Sequence, residues 1–160
     1  MTTSISYLYA DWDLHHSRLV KMIAPLTPEQ LLLRSAPHMW HVSGMAAHIV
    51  GTRAFWIHQI MHEGPPEMAG WLGLDDRDES ERTVERIVQG LNETWDMIAA
   101  MLARCTIADL DATFERQYPD GRVKAFTRQA LIMRVLTHDA HHGGEISQIL
   151  GMHRVTGLDW

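Results

Sequence analysis

Apolar residues recur every three or four positions in four long stretches of the chain, at residues 4–24, 43–62, 80–104 and 127–150. This spacing places the apolar side chains on one face of an α-helix. Thr27, followed by Pro28 and Gln30, predicts the start of a short additional helix. Ser43 and Ser80 are the predicted N-caps of the second and third long helices. The pattern therefore predicts an all-α protein.

The connections between these stretches differ in length and composition. Residues 63–77 are rich in Gly and Pro and form a long crossover, in which Trp71 and Leu72 either dock over a cavity or simply pin the loop to the surface. Residues 106–125 alternate weakly and contain a Pro-Asp-Gly turn signal, which predicts a short extended or hairpin connection. Four long helices with one long crossover indicate a four-helix bundle, and without a repeat or a composition shift we expect residues 1–160 to form a single domain.

Composition narrows the class of protein. The chain has 160 residues, a net charge of −6 and no dense cluster of Lys and Arg, which argues against a nucleic-acid partner. No apolar run approaches the roughly 18 residues of a membrane-spanning helix, and the N-terminus lacks the pattern of a signal peptide. The one cysteine, Cys105, excludes an intrachain disulfide and fits a reducing cytoplasm. We therefore expect a cytoplasmic protein without a membrane segment, in which Cys105 is structural.

The fourth long helix carries the candidate chemistry. His138 and His142 are four residues apart, and on a helix of about 3.6 residues per turn they project from one face, one turn apart. Two imidazoles at this spacing can share a transition metal. His141 lies about 100° away around the helix and points off this face. Two histidines do not complete a metal site, so a third ligand from another helix is needed.

Other histidines offer alternatives, because the chain contains eleven of them. His48 lies between small and apolar residues on the second long helix, which makes it the candidate third ligand. His58 and His62 form a rival pair near the end of the same helix, where fraying makes a rigid site harder to build. His15 and His16 are expected at the edge of the first helix or on its surface. The simplest alternative treats the pair on the fourth helix as core residues that hydrogen-bond to their neighbours and bind no metal.

A set of His48, His138 and His142 would give a metal three protein ligands and leave one position open for water or substrate. An open position is typical of catalytic rather than structural metal sites. Facing helices of a bundle commonly assemble such sites in their core. The sequence therefore predicts a metal centre inside the bundle that acts on a small molecule.

Two segments of the chain resemble the DinB/YfiT-like proteins. Residues 40–57, which read Ala-Ala-His-Ile-Val around His48 and Phe-Trp further on, look like the second helix of that family. Residues 138–146, which read His-Asp-Ala-His-His-Gly-Gly-Glu-Ile, resemble its His-x-x-His-His-Arg-Gly-Gln-Ile signature. The resemblance implies a DinB-like bundle in which three histidines hold a divalent metal, commonly zinc or nickel. The matching positions here are His48, His138 and His142.

The resemblance also implies a function. Members of the family often form homodimers, and those with an assigned activity use a low-molecular-weight thiol, such as mycothiol or bacillithiol, in S-transfer or isomerisation. We therefore expect a metal-dependent thiol S-transferase, or a hydrolase in which the same ligands serve to activate water, acting on a small electrophilic substrate. The rival hypothesis is a non-catalytic metal-binding protein, or a dimeric interaction protein of the stress response, that retains the bundle.

The sequence departs from the family signature at two positions. Gly143 stands where the signature has Arg, which removes a donor for an anionic substrate. Gly143 and Gly144 each cost a helix about 1 kcal/mol relative to Ala, so a close approach of another backbone is expected there. Glu145 replaces Gln, seven residues beyond His138 and on the face of the ligands. It is the candidate catalytic residue, as a general base; the alternatives are a fourth ligand, a hydrogen-bond partner of a ligand, or a partner of Arg134.

Overall fold

Five α-helices and one β-hairpin form the regular structure of residues 4–158, the part of the chain that this computed structural model describes. The helices are α1 (Ala10–Ile23), α2 (Pro28–Leu31), α3 (Val42–Arg53), α4 (Val84–Arg104) and α5 (Arg128–Met152). Strands β1 (Thr113–Gln117) and β2 (Val123–Thr127) pair antiparallel as the predicted hairpin. Short 3-10 turns lie at Ser6–Tyr9, Pro66–Trp71, Leu74–Asp76, Glu79–Glu81 and Ile107–Asp111.

Helix α3 is the most deeply buried helix of the bundle. It packs against α4 and α5, and α1 packs against the same two helices. The crossover at residues 61–83 packs on α3 through the turn Leu74–Asp76, in which Leu74 is fully buried. Eleven of the twelve α3 residues are buried as a result, and His48 is the exception. The predicted all-α four-helix bundle with a long crossover is confirmed. Among residues 4–158, no helix combines the length and apolar character needed to cross a lipid bilayer.

Helix starts follow the local sequence only in part. The capping box predicted for α2 is present, but the predicted caps Ser43 and Ser80 are wrong. His41 Nδ1 accepts the Gly44 N–H at the start of α3, and Thr83 caps α4 one turn later than expected. An imidazole nitrogen performs the task of a cap hydroxyl here, so a search for the usual cap residues misses it.

The second long helix changes its geometry before it ends. After α3 the chain continues as a π-helix at Ala54–Ile60, which carries Phe55 and Trp56 towards the hairpin. The guanidinium of Arg116 on β1 lies over both rings, 4.9 and 5.0 Å from their centroids. A π-helical turn contains more residues than an α-helical turn. The four-residue spacing between His58 and His62 therefore no longer places them on one face of the helix.

An ion pair between Arg53 and Asp139 lies inside the bundle. Both side chains are fully buried, and Arg53 Nε and Nη2 lie 2.9 and 2.8 Å from Asp139 Oδ2. Trp12 Nε1 on α1 donates to the same carboxylate oxygen at 2.8 Å, and Arg53 Nη1 donates to the Leu91 carbonyl of α4 at 3.1 Å. The pair therefore links all four long helices. A buried charge is tolerated only with its partner, so this pair constrains how the helices pack.

His15 and His16 belong to the same buried network, so their expected place at the edge or surface of α1 is wrong. His15 Nε2 lies 3.2 Å from the carbonyl of Asp139. The His16 ring stacks on Trp95 with centroids 5.1 Å apart, and its Nδ1 lies 3.4 Å from Arg53 Nη1. Burial, followed by the Arg53 charge, lowers the pKa of His16 to about 3. These partners come from other helices and are invisible in the sequence of α1.

The two adjacent glycines of α5 have different surroundings. A Cβ at Gly143 would lie 3.0 Å from His15 Cε1, whereas the space around Gly144 is open among the described residues. The close approach expected at this dipeptide is therefore present at Gly143, although an imidazole ring approaches rather than a backbone. The structure gives no packing reason for Gly144.

Replacing Asp139 by Asn should destabilise the fold strongly, because it leaves the Arg53 guanidinium buried without a counter-charge. We expect Asp139→Asn to lower the free energy of unfolding by about 3–5 kcal/mol, measured by urea denaturation. The matched control is Arg122→Gln, which removes an ion pair to Asp120 whose side chains are 74% and 54% exposed. That control should unfold close to the original midpoint. A similarly small change for Asp139→Asn would mean that the buried pair does not hold the helices together.

Candidate metal centre

The structure brings His48 of α3 together with His138 and His142 of α5. One potential ligand nitrogen from each ring lies within 4.8 Å of the other two. The ring centroids are 4.8, 5.2 and 4.4 Å apart for the pairs 48–138, 48–142 and 138–142. Two nitrogens that ligate one zinc ion at about 2.0–2.1 Å are at most about 4.2 Å apart, so the three nitrogens lie close to the separation that a shared ion requires.

The positions of the three rings follow from two features of the fold. The i,i+4 spacing on α5 places His138 and His142 on one face, and the packing of α5 on α3 places His48 opposite them. The cluster is half-buried, with side-chain exposures of 30% for His48 and 17% for His142. The cluster is therefore partly open to solvent.

Carboxylates contact two of the three rings at the nitrogen Nδ1. His48 Nδ1 lies 2.6 Å from Asp75 Oδ2, and His142 Nδ1 lies 2.7 Å from Glu145 Oε2. A neutral ring that donates its Nδ1–H to a carboxylate keeps the lone pair on Nε2, the nitrogen left for a metal. The hydrogen bond from His48 is the main reason that the pKa of Asp75 is lowered. Asp75 is therefore ionised at neutral pH, as an acceptor for the ring N–H must be.

Glu145 thus has the geometry of a hydrogen-bond partner of a candidate ligand, one of the roles considered for it from the sequence. Its other oxygen, Oε1, lies 3.4 Å from His141 Nε2. The side chain of His141 is 66% exposed and lies off the face that His138 and His142 share, as the spacing predicts. The role of Glu145 as a general base stays a prediction.

Asp75 is the site residue that sequence reasoning missed. It lies in the crossover, and its approach to α3 depends on a glycine, because a Cβ at Gly51 would lie 3.1 Å from Asp75 Oδ1. Gly51 is one α-helical turn beyond His48, on a helix whose other residues are buried. In the sequence, this glycine one turn from a candidate ligand is the feature that could have indicated the close approach of another segment. Nothing in the local sequence of the crossover indicates which helix its carboxylate would contact.

His138 has a different environment from the other two rings. Its Nε2 lies 3.3 Å from Thr52 Oγ1, and its Nδ1 is buried without a hydrogen-bond partner among the described residues. Burial, followed by the nearby His142 and His48, lowers the pKa of His138 to about 3. Burial also lowers the pKa of His142, against the opposing effect of Glu145. Both rings are therefore neutral at pH 7, which is the form that binds a metal.

The rival pair does not form a comparable cluster. Among residues 4–158, the groups of three side chains that could hold a metal are the three-histidine cluster and a more exposed set made of His141, His142 and Glu145. His58 Nδ1 instead lies 2.8 Å from the carbonyl of Glu63. His62 has a positive φ of 59° at the end of the helix, so the chain turns away there.

Comparisons with known proteins agree with this architecture. A family profile described as the DinB superfamily matches residues 11–146. The crystal structure of a DinB-like protein from Bacillus cereus ATCC 10987 is similar over 100% of this chain and 99% of that chain, with a TM-score of 0.73 and 21% sequence identity. At that identity, the structural likeness shows the fold alone. No curated protein matches the chain.

The His138 ring should stay neutral well below the ordinary histidine pKa of 6.5, because its pKa is about 3 in the folded protein. Imidazole nitrogen NMR shifts of the metal-free protein, recorded from pH 7 to pH 4, should show no protonation of this ring. The unfolded chain takes up that proton near pH 6.5, so the stability that neutral His138 contributes is complete above pH 6.5 and is lost as the pH falls towards 3. A His138 titration with a midpoint near 6.5 would contradict the buried geometry.

Proposed function

The chain belongs to the DinB superfamily, and on that basis we propose that it binds one divalent metal ion through His48, His138 and His142. The observation that supports the proposal is the meeting of three imidazole nitrogens within 4.8 Å in a half-buried cluster. Imidazole ligands suit zinc and nickel. Three protein ligands would leave a position open for a substrate, which favours a catalytic over a structural site.

The surrounding residues support this assignment by fixing the rings. Asp75 and Glu145 would hold His48 and His142 with their Nε2 atoms towards the ion, the usual task of carboxylates behind metal-bound histidines. The negative charges of these two carboxylates would offset part of the positive charge of a bound cation. We place the open side of the cluster at His48, the one α3 residue that is not buried.

We further propose that the protein is a metal-dependent thiol S-transferase that uses a low-molecular-weight thiol, of the mycothiol or bacillithiol kind, on a small electrophile. A divalent metal held by the three histidines would lower the pKa of a thiol, so that the thiolate is available at neutral pH. The thiol would give its proton to solvent, and its sulfur would then form a bond to an electrophilic carbon. In a substitution the displaced electron pair leaves with the leaving group, and in an addition to an activated alkene such as a maleimide it moves to the neighbouring carbon, which takes up a proton. The residues of this chain would orient the three rings, limit access of water and leave the His48 side open to both reactants.

Metal titration tests the ligand set. The protein, stripped with a chelator, should bind one zinc or nickel ion per chain by isothermal titration calorimetry. We expect His48→Ala, His138→Ala and His142→Ala each to weaken binding by about 100-fold or more, since two ligands do not complete a site. Asp75→Asn should cost roughly 10- to 100-fold, the usual effect of losing a partner behind a ligand.

The rival histidine pair supplies the control for this titration. The double variant His58→Ala/His62→Ala removes as many imidazoles from the same chain and should leave the affinity unchanged. Circular dichroism would confirm that each variant is folded. Unaltered metal content in the triple alanine variant of the cluster would refute the proposed site.

Turnover tests the reaction. The zinc- or nickel-loaded protein, supplied with bacillithiol or mycothiol, should accelerate the loss of N-ethylmaleimide, and the cluster variants should not. Consumption of the maleimide can be followed by its ultraviolet absorbance, with the thiol alone as the background. Normal metal binding without any thiol-dependent acceleration would favour the non-catalytic metal-binding alternative.

A further inference from the structure

A cavity of about 310 Å³ lies beside the three-histidine cluster. Two of its lining residues also contact His48: Asp75 Oδ2 lies 2.6 Å from His48 Nδ1, and the Trp40 ring packs edge-on against the His48 ring with centroids 5.2 Å apart. Gly44, one helical turn before His48 on α3, forms part of the same wall. A molecule in this cavity therefore lies next to the partly exposed side of the cluster.

Two guanidinium groups line this cavity. Arg34 Nη1 donates to the Pro37 carbonyl at 3.3 Å, and Arg82 Nη1 donates to the Asp75 carbonyl at 3.0 Å. Each guanidinium thus has a backbone acceptor, and within residues 4–158 neither forms a salt bridge with a carboxylate. Arg82 Nε is buried and has no hydrogen-bond partner there. Two arginines that line one cavity without a direct salt bridge favour an anionic ligand.

The acidic groups near this cavity do not cancel its charge. Asp75 lines the cavity, but its Oδ2 is engaged with His48. Glu79 lies towards His41, 3.9 Å from its Nε2, and its side chain is 53% exposed. Two guanidiniums and a single carboxylate therefore line the cavity, and its lining keeps an excess of one positive charge.

The remaining wall consists of His41, Gly44 and two exposed hydrophobic side chains. Trp40 is 51% exposed and Met39 is 42% exposed, although both are large hydrophobic residues. An aromatic ring beside cationic donors forms a surface that suits an organic anion better than an inorganic one, because the carbon body of the ligand can cover the ring.

We infer that this cavity binds the carboxylate group of a small organic molecule that reacts at the His48, His138 and His142 centre. Arg34 and Arg82 bind the carboxylate, and Trp40 packs against the rest of the molecule. The inference rests on the proposed function and adds a substrate class to it: one of the two reactants, the thiol or the electrophile, carries a carboxylate. The cationic donors for an anionic substrate are therefore Arg34, in the connection before α3, and Arg82, directly before the Thr83 cap of α4. The family signature has an Arg where this chain has Gly143.

Binding to the metal-free protein tests the cavity apart from the metal. The full chain is titrated with 3-phenylpropionate and with 3-phenylpropionamide, and tryptophan fluorescence reports the occupancy. We expect the carboxylate to bind at least about tenfold more tightly than the amide, since each ligand charge meets charged donors. Arg34→Gln and Arg82→Gln should each remove most of this preference, whereas Arg122→Gln on the hairpin should keep it. Equal affinity for the two probes, or an equal loss in Arg122→Gln, would overturn the inference.

Two arms with the zinc-loaded protein assign the carboxylate to a reactant. The first compares 3-mercaptopropionate with 3-mercaptopropionamide as the thiol, and the second compares 3-maleimidopropionate with N-ethylmaleimide as the electrophile. A rate preference for the carboxylate that Arg82→Gln abolishes, in either arm, supports the inference and names the reactant. The absence of a rate preference for the carboxylate in both arms would overturn the inference. Loss of zinc binding at the histidines would defeat the proposed function alone, because the metal-free titration does not depend on the ion.

Discussion

The buried ion pair between Arg53 and Asp139 is the constraint on which the candidate site depends. Asp139 directly follows His138 on α5, and Arg53 directly follows Thr52 on α3, whose hydroxyl lies 3.3 Å from His138 Nε2. Fixing the pair therefore fixes the register of α5 along α3. His48 is one helical turn before Thr52, so the same register places its ring beside His138 and His142. The network of tryptophan, histidine and carbonyl partners around the pair extends this constraint to α1 and α4.

The crossover between α3 and α4 contributes to both the fold and the site. Leu74 covers the outer face of α3, and the next residue, Asp75, bonds to the one α3 side chain that is not buried. The burial of Leu74 supplies the favourable free energy that holds the turn on α3. The packing of Leu74 therefore fixes the position of Asp75. A carboxylate must be fixed in this way in order to orient a histidine ring.

The features that follow from local spacing could be predicted from the sequence. The apolar periodicity gave the helices, and the i,i+4 spacing identified His138 and His142 as neighbours, with Glu145 one turn further along the same helix. The contacts that depend on tertiary packing could not be predicted. Arg53 and Asp139 are 86 positions apart, and His48 and Asp75 are 27 apart. An isolated Arg or Asp in a helical pattern gives no sign that it is buried or which residue it meets.

The two carboxylates that contact the histidines belong to different parts of the fold. Glu145 and His142 lie on one helix, so their contact moves with α5 as a unit. Asp75 belongs to the crossover, and its backbone carbonyl accepts a hydrogen bond from Arg82, which lines the neighbouring cavity. Arg82 and His48 therefore share Asp75 as a common hydrogen-bond partner, the first through its backbone carbonyl and the second through its carboxylate. The cavity and one candidate ligand are thus built on the same residue of the crossover, whereas the partner of His142 comes from α5 itself.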